Sequence, residues 1–167
     1  MSRPVILLGA VASLLALAGC PARPPRAATT IASDSIVLER GVCFGSCPAY
    51  RLVVRGSGAV EFEGRGRPLA GTRDTGRVTP EQFSGLLDAF ESAGFARFAP
   101  RYAPGDSGCG RVATDLPTAT LTLGTAAGVR TVQHYHGCSD APEDLGRLED
   151  RVDEVTNSAR WTGQPPR

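Results

Sequence analysis

The chain has 167 residues, of which 41% are hydrophobic and 21% are charged, and its formal net charge is +1. This length allows one ordinary domain with its own hydrophobic core. Lysine is absent and the charges nearly balance, so the chain offers no basic stripe of the kind that binds nucleic acid. No glycine-rich phosphate loop follows a predicted strand, and we expect no cofactor.

The N-terminus has the pattern of a bacterial export signal over residues 1–19. Arg3 supplies a positive charge, and Val5–Leu17 is almost entirely apolar. That run is shorter than the roughly 20 apolar residues that span a membrane, so it indicates a signal peptide.

Leu17–Cys20 reads Leu-Ala-Gly-Cys and resembles a lipobox, which implies cleavage before Cys20 and its acylation by palmitate-type fatty acids. We therefore expect an exported lipoprotein whose first partner is the membrane. Residues 20–34 are rich in Pro, Ala and Arg and predict a flexible tether. Pro21, rather than Asp, follows the lipidation site, which favours the outer membrane with the domain facing the periplasm.

The first part of the domain consists of short segments in which apolar and polar residues alternate. Such alternation is typical of strands that bury one face. Gly56–Gly58 supplies the residues of a tight hairpin between two of these segments. The predicted strands are 35–40, 50–55, 59–63 and 72–78.

A helix is predicted to begin at Pro80. Thr79 and Gln82 have the spacing of a capping box, and proline suits the first helical position. An apolar stripe at helical spacing follows, and Gly94 predicts the end of the helix. The stripe contains Phe83, Leu86, Leu87 and Phe90.

The second part of the domain repeats this order after an irregular loop at 95–116. Strands are predicted at 118–123 and 129–136. Asp140 and Glu143 have capping-box spacing before a second helix. Its apolar stripe contains Leu145, Leu148, Val152 and Val155, Trp161 is expected to cover one end of the core, and 162–167 is expected to be a frayed tail.

Strands, helix, strands and helix in this order predict one α+β domain over residues 35–161. Strands joined by hairpins favour an antiparallel sheet. We expect a two-layer architecture in which both helices pack on one face of that sheet.

Five cysteines are present, and lipidation of Cys20 leaves an even number, which in an exported chain implies two disulfides with three possible pairings. We favour Cys43–Cys47, because a short loop turning at glycine brings its ends together. The remaining pair is Cys109–Cys138, and both residues lie in glycine-containing loops.

Leu38–Arg40 followed by Cys43–Tyr50, which reads Cys-Phe-Gly-Ser-Cys-Pro-Ala-Tyr, resembles an uncharacterised bacterial domain-of-unknown-function family. Members of that family share a C-F-G-[ST]-C-P-x-Y stretch near the domain start. Thr79–Phe98, Asp115–Pro117 and Leu145–Trp161 fit the same pattern, so the resemblance covers most of 35–161. It implies no activity, substrate or cofactor.

The principal alternative is a metal site. In a strand, His134, His136 and Cys138 would share one face, and a further cysteine (Cys43, Cys47 or Cys109) would complete a nitrogen–sulfur site for zinc or copper. Oxidation of exported cysteines competes with this ligation, so we expect no metal. The spacing of the first cysteine pair differs from the C-x-x-C of thiol oxidoreductases, which disfavours redox chemistry.

No catalytic residues are predicted. The acidic residues fall in loops and at helix starts, where they are common without function, and Ser46 and Ser107 lack a G-x-S-x-G context. We therefore expect a non-enzymatic binding or interaction module of the envelope, whose partner is an unidentified envelope protein or small ligand. The alternative is a metal-binding or thiol-redox envelope protein using Cys43/Cys47 and His134/His136/Cys138.

Overall fold

A computed structural model describes residues 33–164. The predicted signal at 1–19, the lipidation site Cys20, most of the predicted tether and the last three residues of the predicted tail lie outside the described residues. Within 33–164, no helix is long and apolar enough to span a membrane.

The domain contains one mixed sheet of seven strands in the order β4-β3-β2-β1-β6-β7-β5. The pairs are antiparallel except that β5 runs parallel to β7. The α+β class is thus confirmed, whereas a fully antiparallel sheet is wrong at one edge. The strands are β1 Ser35–Arg40, β2 Tyr50–Arg55, β3 Ala59–Gly64, β4 Arg73–Arg77, β5 Arg101–Tyr102, β6 Thr118–Thr125 and β7 Gly128–Tyr135.

The edge strand β5 lies in the segment that was predicted to be an irregular loop. A short 3-10 helix, Phe95–Arg97, precedes it. Arg101 then pairs with Gln133 of β7, whose backbone N–H also donates to Pro100 at 3.0 Å. Two residues are too few to show strand alternation, so this pairing has no signal in the local sequence.

Two long helices pack on the sheet, α1 Pro80–Ser92 and α2 Glu143–Thr156, and a short α3, Ala159–Thr162, follows them. The predicted capping box of α1 is confirmed, because the Thr79 hydroxyl accepts from Gln82 and the Gln82 side chain accepts from the Thr79 backbone.

The predicted capping box of α2 is wrong. Pro142 occupies the N-cap position and makes no side-chain capping hydrogen bond. The Asp140 carboxylate instead accepts from the Ser139 hydroxyl at 2.7 Å, and its backbone N–H donates to Cys109. These contacts hold the residue in the preceding loop, where it does not reach the first turn of the helix.

The hydrophobic core forms a single cluster to which the sheet and both long helices contribute. Cross-strand partners share a face of a sheet, so the pairing of Ile36 with Val54 and Leu123 identifies the face that is buried. Both helices pack on this cluster. Its helical members are Phe83, Leu86, Leu87, Phe90, Leu145, Leu148 and Val152.

A row of polar side chains lies at one end of the same face. Arg40 follows Leu38 by two residues, which places both on the buried face. Arg40 pairs with Tyr50 of β2 and Ala119 of β6, and Ala119 pairs with His134 of β7. Strand register therefore brings one residue each of β1, β2, β6 and β7 side by side at the C-terminal end of β1.

Candidate functional site

Glu149 of α2 contacts this polar row of the sheet. Its side chain is only 1% exposed. Its Oε1 lies 2.8 Å from Nδ1 of His134, and its Oε2 lies 2.7 Å from Nε2 of His136. Arg40 Nη1 donates to the same Oε2 at 3.3 Å. One buried carboxylate thus contacts three basic side chains.

The two histidines reach Glu149 because of strand geometry. His134 lies in β7, and His136 follows one residue beyond its end. Residues two apart in an extended segment project to the same face. Their rings stack with centroids 4.5 Å apart and planes 22° apart.

Arg40 connects the sheet to three acidic residues of α2. Besides Glu149, its Nη2 donates to Asp150 at 2.9 Å and its Nε donates to Asp153 at 2.8 Å. Tyr50 donates to the other oxygen of Asp153 at 2.6 Å. We call the whole set the buried polar cluster: Arg40, Tyr50, His134, His136, Glu149, Asp150 and Asp153.

Burial and charge shift the pKa values of this cluster. Burial lowers the pKa of Arg40, but the charge of Asp153 and the other acidic groups outweighs it, and the net pKa is raised. Burial, followed by the charge of Asp153, raises the pKa of Tyr50. Burial alone would raise the pKa of Glu149, but hydrogen bonds from the two imidazoles hold it below its usual value. Burial raises the pKa of Asp150.

The charge balance of the cluster depends on the two imidazoles. With ionised carboxylates and neutral imidazoles, Glu149, Asp150 and Asp153 exceed the single guanidinium of Arg40 by two negative charges. Unpaired charge is costly in a buried environment. Protonating both rings would neutralise the cluster but would stack two like charges 4.5 Å apart.

A small cavity of about 20 Å³ adjoins the cluster. Arg40, Tyr50, His136 and Asp153 contribute to its lining, together with Thr118 of β6. A cavity of this size holds one water molecule or ion, whereas organic ligands need several hundred Å³.

The cysteines fall into the two pairs that we favoured. The Sγ atoms of Cys43 and Cys47 lie at bonding distance with Cα atoms 5.6 Å apart, and those of Cys109 and Cys138 do so with Cα atoms 4.5 Å apart. A thiolate of Cys138 is therefore not free to join the two histidines. Lipidation of Cys20 concerns a residue outside 33–164 and stays a prediction.

In the structure, Glu149 rather than Cys138 is the third potential metal ligand beside His134 and His136. Among the described residues, the group of side chains able to hold a metal ion is His134, His136 and Glu149, whose donor atoms lie within 4.8 Å of one another. The alternative set of His134, His136 and Cys138 differs from this group in its third member, because Cys138 lies at bonding distance from Cys109.

The sequence carried a signal for the acidic residues of the cluster that we did not use. Glu149 and Asp153 follow Leu145 by four and eight residues, which are positions of the apolar stripe of α2. Both are 1% exposed. A charged residue within a buried stripe indicates a buried partner.

No curated protein matches this chain. A family model described as a domain of unknown function, DUF6438, matches residues 34–156, which include every residue of the buried polar cluster. The chain therefore belongs to the DUF6438 family of domains of unknown function.

Proposed function

We propose that this protein is an exported, lipid-anchored domain of the cell envelope that works as a non-enzymatic binding module, with its binding site at the buried polar cluster. The observation that carries the proposal is the grouping of the donor atoms of His134, His136 and Glu149, which lie within 4.8 Å of one another around a carboxylate that is 1% exposed. Apolar residues of similar volume often replace buried ion pairs without loss of stability. A buried polar cluster is therefore expected where it serves a purpose other than stability, such as binding a ligand.

The architecture supports binding at this position. In this proposal the sheet and the two long helices form two layers, and the cluster lies between the sheet and α2. The carboxylates of Glu149 and Asp153 already have hydrogen-bonded partners, and the adjoining cavity of about 20 Å³ has no room for an organic substrate. These features favour binding of a small cation over catalysis.

The sequence supports anchoring through Cys20 in the outer membrane, with the domain in the periplasm. Two cysteine pairs at bonding distance are typical of an oxidising compartment. The tether enters β1 at Ser35, and Arg40 lies at its other end, roughly 17 Å away for a strand of this length. The cluster would therefore lie away from the anchor.

Anchoring is tested by Cys20→Ala in the full-length chain. We expect loss of fatty-acid labelling and loss of the protein from the detergent phase, because the thiol is the acceptor of the lipid. Cys43→Ala is the matched control and should keep its label. Unchanged labelling of the Cys20 variant would contradict the anchor.

Binding is tested by thermal unfolding of the full-length chain in detergent against divalent metal ions and the ammonium ion. A ligand that binds the native state raises the melting temperature. We expect at least one ligand to stabilise the wild type and Glu143→Gln, a control on the exposed face of α2, but not Glu149→Gln. If no ligand stabilises the wild type, the binding module is wrong.

A further inference from the structure

We propose that the buried polar cluster binds one divalent transition-metal ion of the zinc class through Nδ1 of His134, Nε2 of His136 and a carboxylate oxygen of Glu149; this inference rests on the proposed function and names its ligand. Two imidazoles and one carboxylate are the three protein ligands of a known class of four-coordinate zinc sites, in which a water takes the fourth position.

The donor types select the class of ion. Calcium and magnesium prefer all-oxygen sites, whereas imidazole nitrogen suits zinc, nickel, copper(II) and iron(II). Soft ions such as copper(I) favour sulfur, but Cys138 lies at bonding distance from Cys109. The site is therefore suited to a divalent ion that accepts mixed nitrogen and oxygen ligands.

Two of the donor distances are shorter than those of a tetrahedral site, and the whole group of donor atoms lies within 4.8 Å. The donor atoms of His134 and His136 lie 2.8 and 2.7 Å from the two oxygens of Glu149. Donor atoms around a tetrahedral zinc ion are roughly 3.3 Å apart, because each bond is about 2.0 Å long. Side-chain rotations would lengthen the two short contacts and bring the remaining donor atoms closer, so that the ion takes the place of the direct hydrogen bonds.

The surroundings supply the other features of such a site. Arg40 donates to Oε2 of Glu149 and to Asp153, which orients the carboxylate as outer partners of metal ligands do. The small cavity lined by His136 has room for one water as a fourth ligand.

The direct test is equilibrium dialysis of Zn²⁺ against the full-length chain in detergent, with its cysteines oxidised and without a polyhistidine tag. We expect one ion per chain. His136→Ala and Glu149→Gln should each weaken binding by at least about 100-fold, since each removes a ligand and the loss of an outer partner alone costs about 10- to 100-fold. The matched control Glu143→Gln removes a carboxylate from the same helix where its side chain is 84% exposed, and it should bind as the wild type does.

Co²⁺ provides a second readout that does not depend on variants that fold poorly. The wild type should show the visible absorption of tetrahedral Co²⁺ and no sulfur-to-metal charge-transfer band. Less than one ion per chain, a sulfur band, or equal loss in Glu143→Gln would overturn the metal site. If the ammonium ion stabilises the chain through Glu149 while metals do not bind, the binding module stands and this inference alone fails.

Discussion

Tyr50 donates a 2.6 Å hydrogen bond to the carboxylate of Asp153, which connects β2 to α2 across 103 positions of the sequence. Both side chains are almost fully buried. The second oxygen of Asp153 accepts from Arg40, so the carboxylate holds two strands against one helix. The position of the Asp153 carboxylate in the buried polar cluster therefore depends on its hydrogen bonds with Tyr50 and Arg40.

Tyr50→Phe removes this hydrogen bond while keeping the aromatic ring that lies 5.6 Å from Phe62. We expect the free energy of unfolding to fall by about 1–3 kcal/mol, because a buried charged acceptor loses one donor. Urea unfolding measures the change. Tyr135→Phe is the control, since it removes an exposed hydrogen bond to a backbone carbonyl and should cost less. Equal losses of unfolding free energy in the two variants would mean that the buried hydrogen bond contributes no more to stability than the exposed one.

The raised pKa of Tyr50 predicts a pH dependence at the alkaline end. Its folded-state pKa exceeds the unfolded value near 10, so its contribution is present below pH 10 and is lost as the pH rises further. The stability difference between the wild type and Tyr50→Phe should therefore shrink as the pH rises from about 10 toward the raised folded-state pKa of Tyr50. Rapid-mixing unfolding at matched pH values measures it. A difference that stays constant over this range contradicts the burial of the phenol.

Strands and α1 were predictable because their signals are local. Alternation located β1 and β2, and the Thr79–Gln82 capping box located the start of α1. The strand β5 was missed because its two residues pair with a distant strand. Glu149 was missed as a partner of His134 because their contact depends on strand order and register, which no local pattern specifies.

The helix α1 is expected to contribute to stability through its buried stripe. Leu87 is 2% exposed, so Leu87→Ala should lower the free energy of unfolding by roughly 2–5 kcal/mol through lost contacts and a cavity. Leu116→Ala is the matched control, because that leucine is 41% exposed and should change stability by less than about 0.5 kcal/mol. Denaturant unfolding compares the two. A small effect at Leu87 would contradict its place in the core.

The last prediction concerns the two cysteine pairs, which close loops of different length. Cys109 and Cys138 are separated by 29 residues and Cys43 and Cys47 by 4. In the chain-entropy model the longer loop contributes roughly 3–4 kcal/mol and the shorter about 2, because a longer loop restricts the unfolded chain more. Replacing both members of the longer pair with serine should therefore destabilise the domain more than the same change at the shorter pair.

Replacing Cys109 and Cys138 with serine should also loosen the segment from β5 to β6, because this pair joins that segment to the end of β7. Hydrogen exchange measures the loosening, and the Cys43/Cys47 double serine variant is its control. Non-reducing peptide mapping of the full-length chain tests the pairing itself. A peptide that links Cys43 or Cys47 to either distal cysteine would refute it. Free thiols at Cys109 and Cys138 would return Cys138 to the possible ligands beside His136, two residues before it.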